Sequence, residues 1–457
     1  MADELRSSIR LARQHRRPPR RPMDPALRLL LTLAAMVGVG TLLLRLPACG
    51  SHRALTFSEA FFTAVSALAT TGLTVITPGK DLSILGQVVL LVLMQVGGVG
   101  YMVLAVVVFM LLGRHVSLAE RLTLRDSLGL ISTASLLRLV RYVLGGVVAL
   151  ELAGAALLWL LWMPTFGAAE AAYLALWHSV SAFCNASFDL LSGSPIAPAG
   201  FPQDAGTLLV ISLLVVLGSL GVPVLSDLLR WPRVRRLSLH SRLTLVTAAF
   251  LLAVGTWCLF LGFSEEGLFS DDPWHRRLLM AWFHSSTART SGFVLEDLST
   301  MAPGNVLVLT VLMFVGGSPA SMGGGITTST FAILVLAMWT FVRGRPEVTF
   351  SRRTLPQETV IKAAAILTLA VSFVAGVSWL LLLTQEATVH EAVFETVSAF
   401  ATCGFTLGLT PRLDAFGQFL IALTMFCGRL GVLTVVAALT DPSPSLVSYP
   451  EEKVLIG

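Results

Sequence analysis

Charged residues are scarce in this chain. Asp, Glu, Lys and Arg make up only 13% of its 457 residues, whereas hydrophobic residues make up 55%. A soluble domain carries about 25% charged residues, so this composition excludes an ordinary soluble globular protein. The mean hydropathy of +0.79 indicates a membrane protein whose length is divided among spans of about 20 residues each.

Several chemical motifs are also missing. The five cysteines are scattered without a CxxC pair, which argues against a disulfide framework or a zinc site. Neither GxxxxGK[ST] nor GxGxxG after a strand pattern occurs, so we expect no nucleotide bound by this chain and exclude a single-chain pump. Without GxSxG or HExxH, a membrane-embedded hydrolase is a remote alternative, because it needs a paired nucleophile and base. We therefore expect neither enzyme activity nor a cofactor.

The hydrophobic residues are concentrated in eight long runs. They cover about residues 26–46, 86–112, 141–163, 206–229, 245–263, 305–342, 361–384 and 416–440. Each run is long enough to span a membrane, and one of them, 305–342, is oversized and interrupted. Four shorter amphiphilic stretches lie between the runs, at 57–68, 172–183, 279–288 and 391–400. Because these are too short to span, they fit re-entrant helices that enter the membrane and return.

The charges in the loops indicate an orientation. Arginines cluster around 114–138, 230–242 and 343–353, whereas acidic residues lie around 265–272 and 386–391. Positively charged loops stay on the cytoplasmic side, so we expect a multi-pass protein of the cell inner membrane with both termini in the cytoplasm. This predicts a basic cytoplasmic arm at 1–25 and a cytoplasmic tail at 441–457. We expect the basic residues that give the net charge of +5 to lie beside the lipid bilayer. We expect no nucleic-acid partner.

Four segments of the chain echo one another without gaps. They are Val65–Leu73 (VSALATTGL), Val180–Phe188 (VSAFCNASF), Ser285–Phe293 (SSTARTSGF) and Val397–Phe405 (VSAFATCGF). Their reference positions, which lie 105 to 115 residues apart, are Gly72, Ser187, Gly292 and Gly404. Each segment follows a short amphiphilic stretch and lies between two apolar runs. A single segment of this kind could be a glycine and serine motif that only helps helices to pack. Four such segments in register favour an internal repeat.

The repeats predict an all-α membrane fold. Each unit reads span, re-entrant pore helix, turn and span, which we abbreviate M1–P–M2. The predicted units, which give eight transmembrane helices and four pore helices, cover 26–114, 136–230, 243–343 and 358–440. Repeats that run in the same direction are arranged around an axis along the membrane normal. We therefore expect a pseudo-fourfold central pore.

The turns have the chemistry that a cation pore needs. An ion that enters hydrocarbon without replacement ligands loses hydration worth about 20 kcal/mol. Four converging turns can replace the lost water with rings of backbone carbonyls, and glycine permits the unusual backbone conformation at little steric cost. The C-terminal ends of the pore helices are partly negative and favour a cation. Four serines, six residues before the reference positions, are expected to form hydrogen bonds within their pore helices: Ser66, Ser181, Ser286 and Ser398.

Over nearly its whole length the chain resembles the Trk/Ktr/HKT superfamily of potassium transporters. Besides the four segments, the resemblance rests on three glycine-rich motifs: Gln95–Gly100 (QVGGVG), Gly316–Ile326 (GGSPASMGGGI) and Gly428–Gly431 (GRLG). Eight spans and the ending Tyr449–Gly457 look most like the Ktr-type membrane subunit. The resemblance implies a potassium uptake channel or transporter subunit. A Na⁺-permeable or Na⁺-coupled K⁺ transporter of the same fold is the alternative.

The resemblance also implies a site. Its K⁺ selectivity filter, in which backbone carbonyls bind the ion, is formed by Thr70, Thr71, Gly72, Leu73, Asn185, Ala186, Ser187, Phe188, Thr290, Ser291, Gly292, Phe293, Thr402, Cys403, Gly404 and Phe405. Its gate, which the family places in the interrupted span, is formed by Gly316, Gly317, Ser318, Pro319, Ala320, Ser321, Gly323, Gly324, Gly325 and Arg429. Residues 316–325 are called the gate loop below. A simple helix kink is the alternative for the loop, and a snorkelling structural arginine is the alternative for Arg429.

The gate loop is expected to be mobile and held by few side-chain contacts, because it is rich in glycine. Arg429 lies in an apolar span, where a charge needs a partner, and the carbonyls of the gate loop are its expected partners. A homodimer and a cytosolic ring of nucleotide-binding regulatory subunits are the partners that the resemblance implies. Nucleotide would therefore act only through the ring.

Two residues depart from the family pattern. Ser187 stands where most members have a glycine, which brings strict selection of K⁺ over Na⁺ into question. Thr327 stands where the family usually has a lysine, which leaves the electrostatics of the gate open. His178 and His284 lie in pore helices at non-equivalent positions, and we interpret them as polar packing groups and not as pH sensors.

Overall fold

The computed structural model describes residues 25–100, 136–198, 200–263 and 272–431. Its first helices are α1 (Pro25–Leu44), α2 (Phe57–Leu68), α3 (Pro78–Asp81), α4 (Ile84–Val99), α5 (Leu136–Phe166), α6 (Ala168–Phe183), α7 (Ala205–Ser219) and α8 (Gly221–Val234). The later helices are α9 (Leu239–Gly262), α10 (Trp274–Ala288), α11 (Pro303–Phe314), α12 (Thr328–Val342), α13 (Gln357–Thr384), α14 (Val389–Phe400) and α15 (Ala415–Leu430). A small hairpin of β1 (Thr349–Phe350) and β2 (Arg353–Thr354) joins α12 to α13. The described protein is thus mostly helical.

One order of elements occurs four times along the described chain. A helix is followed by a shorter helix, an irregular turn and another helix. The shorter helices are α2, α6, α10 and α14, and they coincide with the four predicted amphiphilic stretches. Helix α2 has the predicted bounds, whereas the other three begin somewhat earlier than predicted. All four end where the echoed segments leave helical conformation.

Side-chain caps determine where several helices begin. The Thr56 hydroxyl accepts from the Glu59 N–H, and the Glu59 carboxylate accepts from the Thr56 N–H, at the start of α2. Helices α4, α7 and α15 are preceded by the capping residues Ser83, Asp204 and Asp414. The side chain of each accepts a hydrogen bond from the N–H three residues further on. These side chains satisfy N–H groups that have no partner inside the helix.

The ends of the short helices pack directly on glycines. The Leu68 carbonyl lies against Gly97 in α4, the Phe183 carbonyl against Gly218 in α7, and the Phe400 carbonyl against Gly428 in α15. A Cβ added to any of these three glycines would overlap that carbonyl. Glycine is therefore required by space here. It lets the following helix approach the point where each echoed turn begins.

The long helices have the composition of membrane spans. By length and composition, three helices of the described residues could cross a membrane: Leu144–Phe166, Leu239–Gly262 and Gln357–Thr384. Helices α7 and α8 make a fourth if they are one span, although they are bent by 105°. Large apolar side chains are exposed on the outer surface, for example those of Phe250, Trp257 and Trp379.

Two predicted runs are broken in the structure. The bend between α7 and α8 divides the run 206–229, and residues 315–327 divide the run 305–342 into α11 and α12. The expectation of eight spans stays a prediction. The predicted basic arm up to residue 24, the end of the first repeat at 101–114, the end of the fourth at 432–440 and the tail at 441–457 lie outside the described residues.

Candidate functional site: four turns and a glycine-rich loop

The four echoed turns contact one another. We call residues 70–73, 185–188, 290–293 and 402–405 the first to fourth turns. The Ser187 hydroxyl donates to the Cys403 carbonyl at 2.7 Å and accepts from the Gly292 N–H at 2.6 Å. The Gly292 N–H also lies 2.6 Å from the Cys403 carbonyl. In the first turn Gly72 packs against Ser187, so the structure brings residues of all four predicted filter segments together.

Three of the turns share a strained backbone. The first has positive φ at Thr70 (53°) and Gly72 (87°), and the fourth repeats this at Thr402 (49°) and Gly404 (100°). The second turn does so at Asn185 (53°) and Ser187 (60°). A positive φ is uncommon outside glycine, and such strain gathers at functional sites. Each of these turns thus has two residues with positive φ, and four of the six are not glycine.

The third turn departs from this pattern. Neither Thr290 nor Gly292 has a positive φ, so the expected conformational need for glycine does not apply at Gly292. The need there is spatial. A Cβ on Gly292 would come within 2.6 Å of the Cys403 carbonyl and 2.6 Å of the Phe405 nitrogen. Glycine at this position allows the third and fourth turns to touch.

The repeated serines support the turns more than their own helices. Ser66 accepts from the Gly72 N–H at 3.0 Å and Ser398 accepts from the Gly404 N–H at 3.1 Å. Ser181 donates to the Phe188 carbonyl at 2.8 Å. Only Ser286 bonds within its own helix, to the Phe283 carbonyl. The predicted helix-internal role is therefore wrong for three of the four serines.

The gate loop lies directly beside the turns. The Thr70 hydroxyl of the first turn donates to the Met322 carbonyl at 2.9 Å, and the Gly324 N–H donates to the Thr402 hydroxyl of the fourth turn at 2.8 Å. A Cβ on Gly323 would overlap the Thr290 side chain of the third turn. The loop therefore contacts the first, third and fourth turns.

The break between α7 and α8 holds the other side of the gate loop. Ser318 and Met322 donate their N–H groups to the carbonyls of Ser219 and Gly218, at 2.9 and 3.2 Å. The Val222 N–H donates to the Ala320 carbonyl at 3.2 Å. The loop is thus anchored by backbone and side-chain hydrogen bonds from several segments. This differs from the expectation of few side-chain contacts, because the backbone groups of the loop bond to side chains of other segments.

Arg429 links the gate loop to the end of α4. Its guanidinium donates to the Met322 carbonyl within the loop and to the carbonyls of Gly97 and Gly98. A guanidinium presents several donors in a rigid fork, so one side chain can hold carbonyls from two segments. Thr327, at the departure from the family pattern, caps α12 by accepting from the Thr330 N–H.

Three buried charged residues near the turns were missed in the sequence. Arg289, directly before the third turn, donates to the Gly316 carbonyl at 3.3 Å and to the Thr328 hydroxyl at 3.0 Å. Glu151 in α5 accepts from Gln95 at 3.1 Å. Glu395 lies within α14 and is fully buried. A charge inside an apolar segment is the signal that could have found each of them.

No resident metal site is built by the acidic and sulfur groups of the described ranges. In residues 25–100, 136–198, 200–263 and 272–431, no three His, Cys, Asp or Glu side chains form a group that could hold a metal ion. The polar groups that converge at the turns are instead backbone carbonyls, backbone N–H groups and hydroxyls. Groups of this kind can replace the water around a cation.

Long apolar helices, together with short helices that end in contacting turns beside a glycine-rich loop, are the features of a helical membrane protein with a polar site. The family model for the cation transport protein TrkH matches residues 5–449. This chain belongs to that family, whose members are integral membrane proteins.

Named relatives cover almost the full chain. The Ktr system potassium uptake protein B of Vibrio alginolyticus is 35% identical over 438 residues, which is 94% of each chain. The protein of the same name from Bacillus subtilis is 33% identical, over 92% of this chain and 94% of the relative. The potassium/sodium uptake protein NtpJ of Enterococcus hirae is 32% identical, over 88% of this chain and 90% of the relative.

A solved structure has the same fold. The potassium transporter TrkH from Vibrio parahaemolyticus superposes with a TM-score of 0.72, over 93% of this chain and 86% of that chain, at 18% sequence identity. The arrangement of helices is therefore that of a known transporter.

Proposed function

We propose that this chain is a potassium uptake channel or transporter subunit, in which four M1–P–M2 repeats surround a pseudo-fourfold central pore. The observation that carries the proposal is the contact among the four turns, centred on Ser187 and its bonds to Gly292 and Cys403. Family membership supports cation transport, and two relatives are named for potassium uptake. The repeats extend over 26–114, 136–230, 243–343 and 358–440.

The turns act as the selectivity filter in this proposal. An entering K⁺ exchanges water for backbone carbonyls of the sixteen turn residues. Serines fix the turns from behind, since Ser66 and Ser398 hold the N–H groups of Gly72 and Gly404. The four short helices end at the turns, so their partly negative C-termini favour a cation there. The strained φ values of three turns are maintained by these contacts.

The gate loop closes the pore in this proposal. It touches three turns and is tied by Arg429 to the end of α4. The guanidinium both holds the loop carbonyls and places a positive charge near the cation path. Opening therefore requires that the bonds of Arg429 and of the α7–α8 break be exchanged for others.

Regulation comes from partners in this proposal. The relatives are named as parts of a Ktr system, which supports a multi-component assembly. We assign to this assembly a membrane homodimer and a cytosolic ring of nucleotide-binding subunits. The β1–β2 hairpin carries exposed arginines in the loop around 343–353, and we assign this basic face to the cytoplasm. In this proposal the protein spans the cell inner membrane and both termini are cytoplasmic.

A second function is favoured by one residue and one relative. Ser187 replaces the glycine found at the other three reference positions, and the relative from Enterococcus hirae is named for potassium/sodium uptake. A pore that also conducts Na⁺, or couples K⁺ to Na⁺, fits both observations.

Growth of a K⁺-uptake-deficient bacterial strain separates the two functions. A strain that expresses the chain with its regulatory partner should grow at low K⁺. Growth that is independent of Na⁺ supports the simple K⁺ pathway, and growth that requires Na⁺ supports coupling. No growth, with the protein present in the membrane, would contradict potassium uptake.

A further inference from the structure

Two equivalent positions flank the turn of each repeat. One lies nine residues before the reference position and the other lies two residues after it. In repeat order the pairs are Thr63 and Thr74, His178 and Asp189, Phe283 and Val294, and Glu395 and Thr406. In the second and fourth repeats the two members are hydrogen-bonded. The first and third repeats have no such bond among the described residues.

Glu395 is the centre of the bonded group in the fourth repeat. Its carboxylate accepts from the Thr406 hydroxyl, from the N–H groups of Leu409 (3.2 Å) and Thr410 (3.0 Å), and from the Thr410 hydroxyl (3.1 Å). Glu395 and Thr410 are fully buried. Four donors on one carboxylate fix the chain that leaves the fourth turn, because each bond to a charged group is stronger than a neutral one.

His178 occupies the equivalent position in the second repeat. Its Nδ1 lies 2.7 Å from the Leu174 carbonyl, so Nδ1 must carry a proton. Its Nε2 lies 2.9 Å from the Asp189 carboxylate and accepts from the Leu190 N–H at 3.3 Å. Asp189 further accepts from the Leu191 N–H at 2.7 Å. The ring is fully buried, so this pair fixes the chain that leaves the second turn.

The first and third repeats have other residues at the position of Glu395 and His178. Phe283 fills the equivalent place in the third repeat with an aromatic ring. The Thr63 hydroxyl is buried and finds no hydrogen-bond partner among the described residues. Among the described residues, a hydrogen bond between these two positions thus occurs in the second and fourth repeats. The turns of these two repeats meet directly through Ser187 and Cys403.

We propose that Glu395 and the His178–Asp189 pair are positioning residues that hold the fourth and second turns in the geometry that selects K⁺ over Na⁺. Neither contacts the ion, and each acts through the backbone that leaves its turn. The inference rests on the proposed function, since it assigns to these residues the selectivity of the same pore. It also gives His178 a part beyond that of a packing group.

Measurements on purified protein in liposomes test the inference. The K⁺/Na⁺ permeability ratio is obtained from reversal potentials for wild type and Glu395→Gln, which keeps the size of the side chain but removes its charge and an acceptor. We expect the ratio to fall by about tenfold, with K⁺ flux still present. Glu386→Gln is the control, because it makes the same change at an exposed position just before α14, outside the bonded group, and should leave the ratio unchanged.

Two variants of His178 test the role of the His178–Asp189 pair. His178→Gln keeps a donor toward Asp189 and should retain most of the selectivity, whereas His178→Ala should lose it. A merely structural role would instead reduce the amount of folded protein in both variants without changing the ratio of the protein that remains. Unchanged ratios in Glu395→Gln and His178→Ala would overturn the inference while the wild type still conducts K⁺ selectively. A wild type that conducts no K⁺ would instead overturn the proposed function.

Discussion

The Ser187 hydroxyl bridges two other turns, since it donates to the Cys403 carbonyl and accepts from the Gly292 N–H. A glycine at position 187 could make neither bond. The Cys403 carbonyl, which a filter would turn toward the ion, is engaged by this serine. The residue that departs from the family pattern therefore lies at the contact of three turns.

Replacing Ser187 with glycine should sharpen the choice of K⁺ over Na⁺ several-fold. The change removes a donor from the Cys403 carbonyl and relieves a serine that has φ of 60°. Reversal potentials in mixed K⁺ and Na⁺ solutions measure the effect. Ser51→Gly, at an exposed position of the loop between α1 and α2, is the control and should change nothing. Equal permeability ratios for Ser187→Gly and wild type would refute the role of this serine.

Adding a methyl group to Gly428 should destabilise the fold. A Cβ there overlaps the Phe400 carbonyl at the end of α14, and overpacking costs typically ~1–3 kcal/mol. We expect a melting temperature several degrees below that of the wild type in detergent. Gly376→Ala is the control, because nothing lies within 4 Å of an added Cβ at that position in α13. The control should be neutral or slightly more stable, since alanine favours helix over glycine by ~1 kcal/mol. Equal melting temperatures would contradict the packing argument.

Removing the Arg429 side chain should open the gate. Arg429→Ala loses bonds to carbonyls of Met322, Gly97 and Gly98. If the closed state becomes less stable relative to the open state by ~1.4 kcal/mol, ion flux should rise about tenfold. The flux should also depend less on the regulatory partner. Selectivity should change less, because the turns are built from other segments. Arg429→Lys keeps the charge without the forked donors and should give an intermediate flux. A folded Arg429→Ala protein with unchanged or lower flux would show that gating lies elsewhere.

Acid should weaken the start of α14. The Thr388 hydroxyl and N–H, followed by Arg412, lower the pKa of Glu391 from its ordinary 4.5 to about 2. Since the pKa is depressed in the folded state, this contribution to stability is complete above pH 4.5 and is lost as pH falls toward 2. The difference in melting temperature between wild type and Glu391→Gln should be constant from pH 8 to pH 5 and shrink below that. A difference that grows in acid would contradict the assignment.

The helices and the turns could be read from the sequence because their signals are local. The amphiphilic stretch 57–68 became α2 with the same bounds. The four echoed segments became the four contacting turns, since a repeated motif carries its own register. Arg429 lies against the gate loop, as a charge in an apolar run suggests.

The remaining features depend on contacts between distant segments. The bend between α7 and α8 falls inside an unbroken apolar run, where Gly221 adopts a φ of 78° and Val222 bonds to Ala320 of the gate loop. The third turn differs from the others although its sequence is alike. No local pattern shows that Ser66 and Ser398 bond forward to turn glycines. Such facts appear only when the repeats are assembled.

The K⁺/Na⁺ permeability ratio of Gly292→Ser, compared with wild type in the same liposomes, tests the four-turn pore most directly. A serine Cβ at this position would press on the Cys403 carbonyl and the Phe405 nitrogen, both 2.6 Å away. The account predicts a K⁺-selective wild type and a variant whose preference for K⁺ is clearly weakened. An unchanged ratio and unchanged K⁺ affinity in the folded variant would contradict the claim that the four turns form the filter.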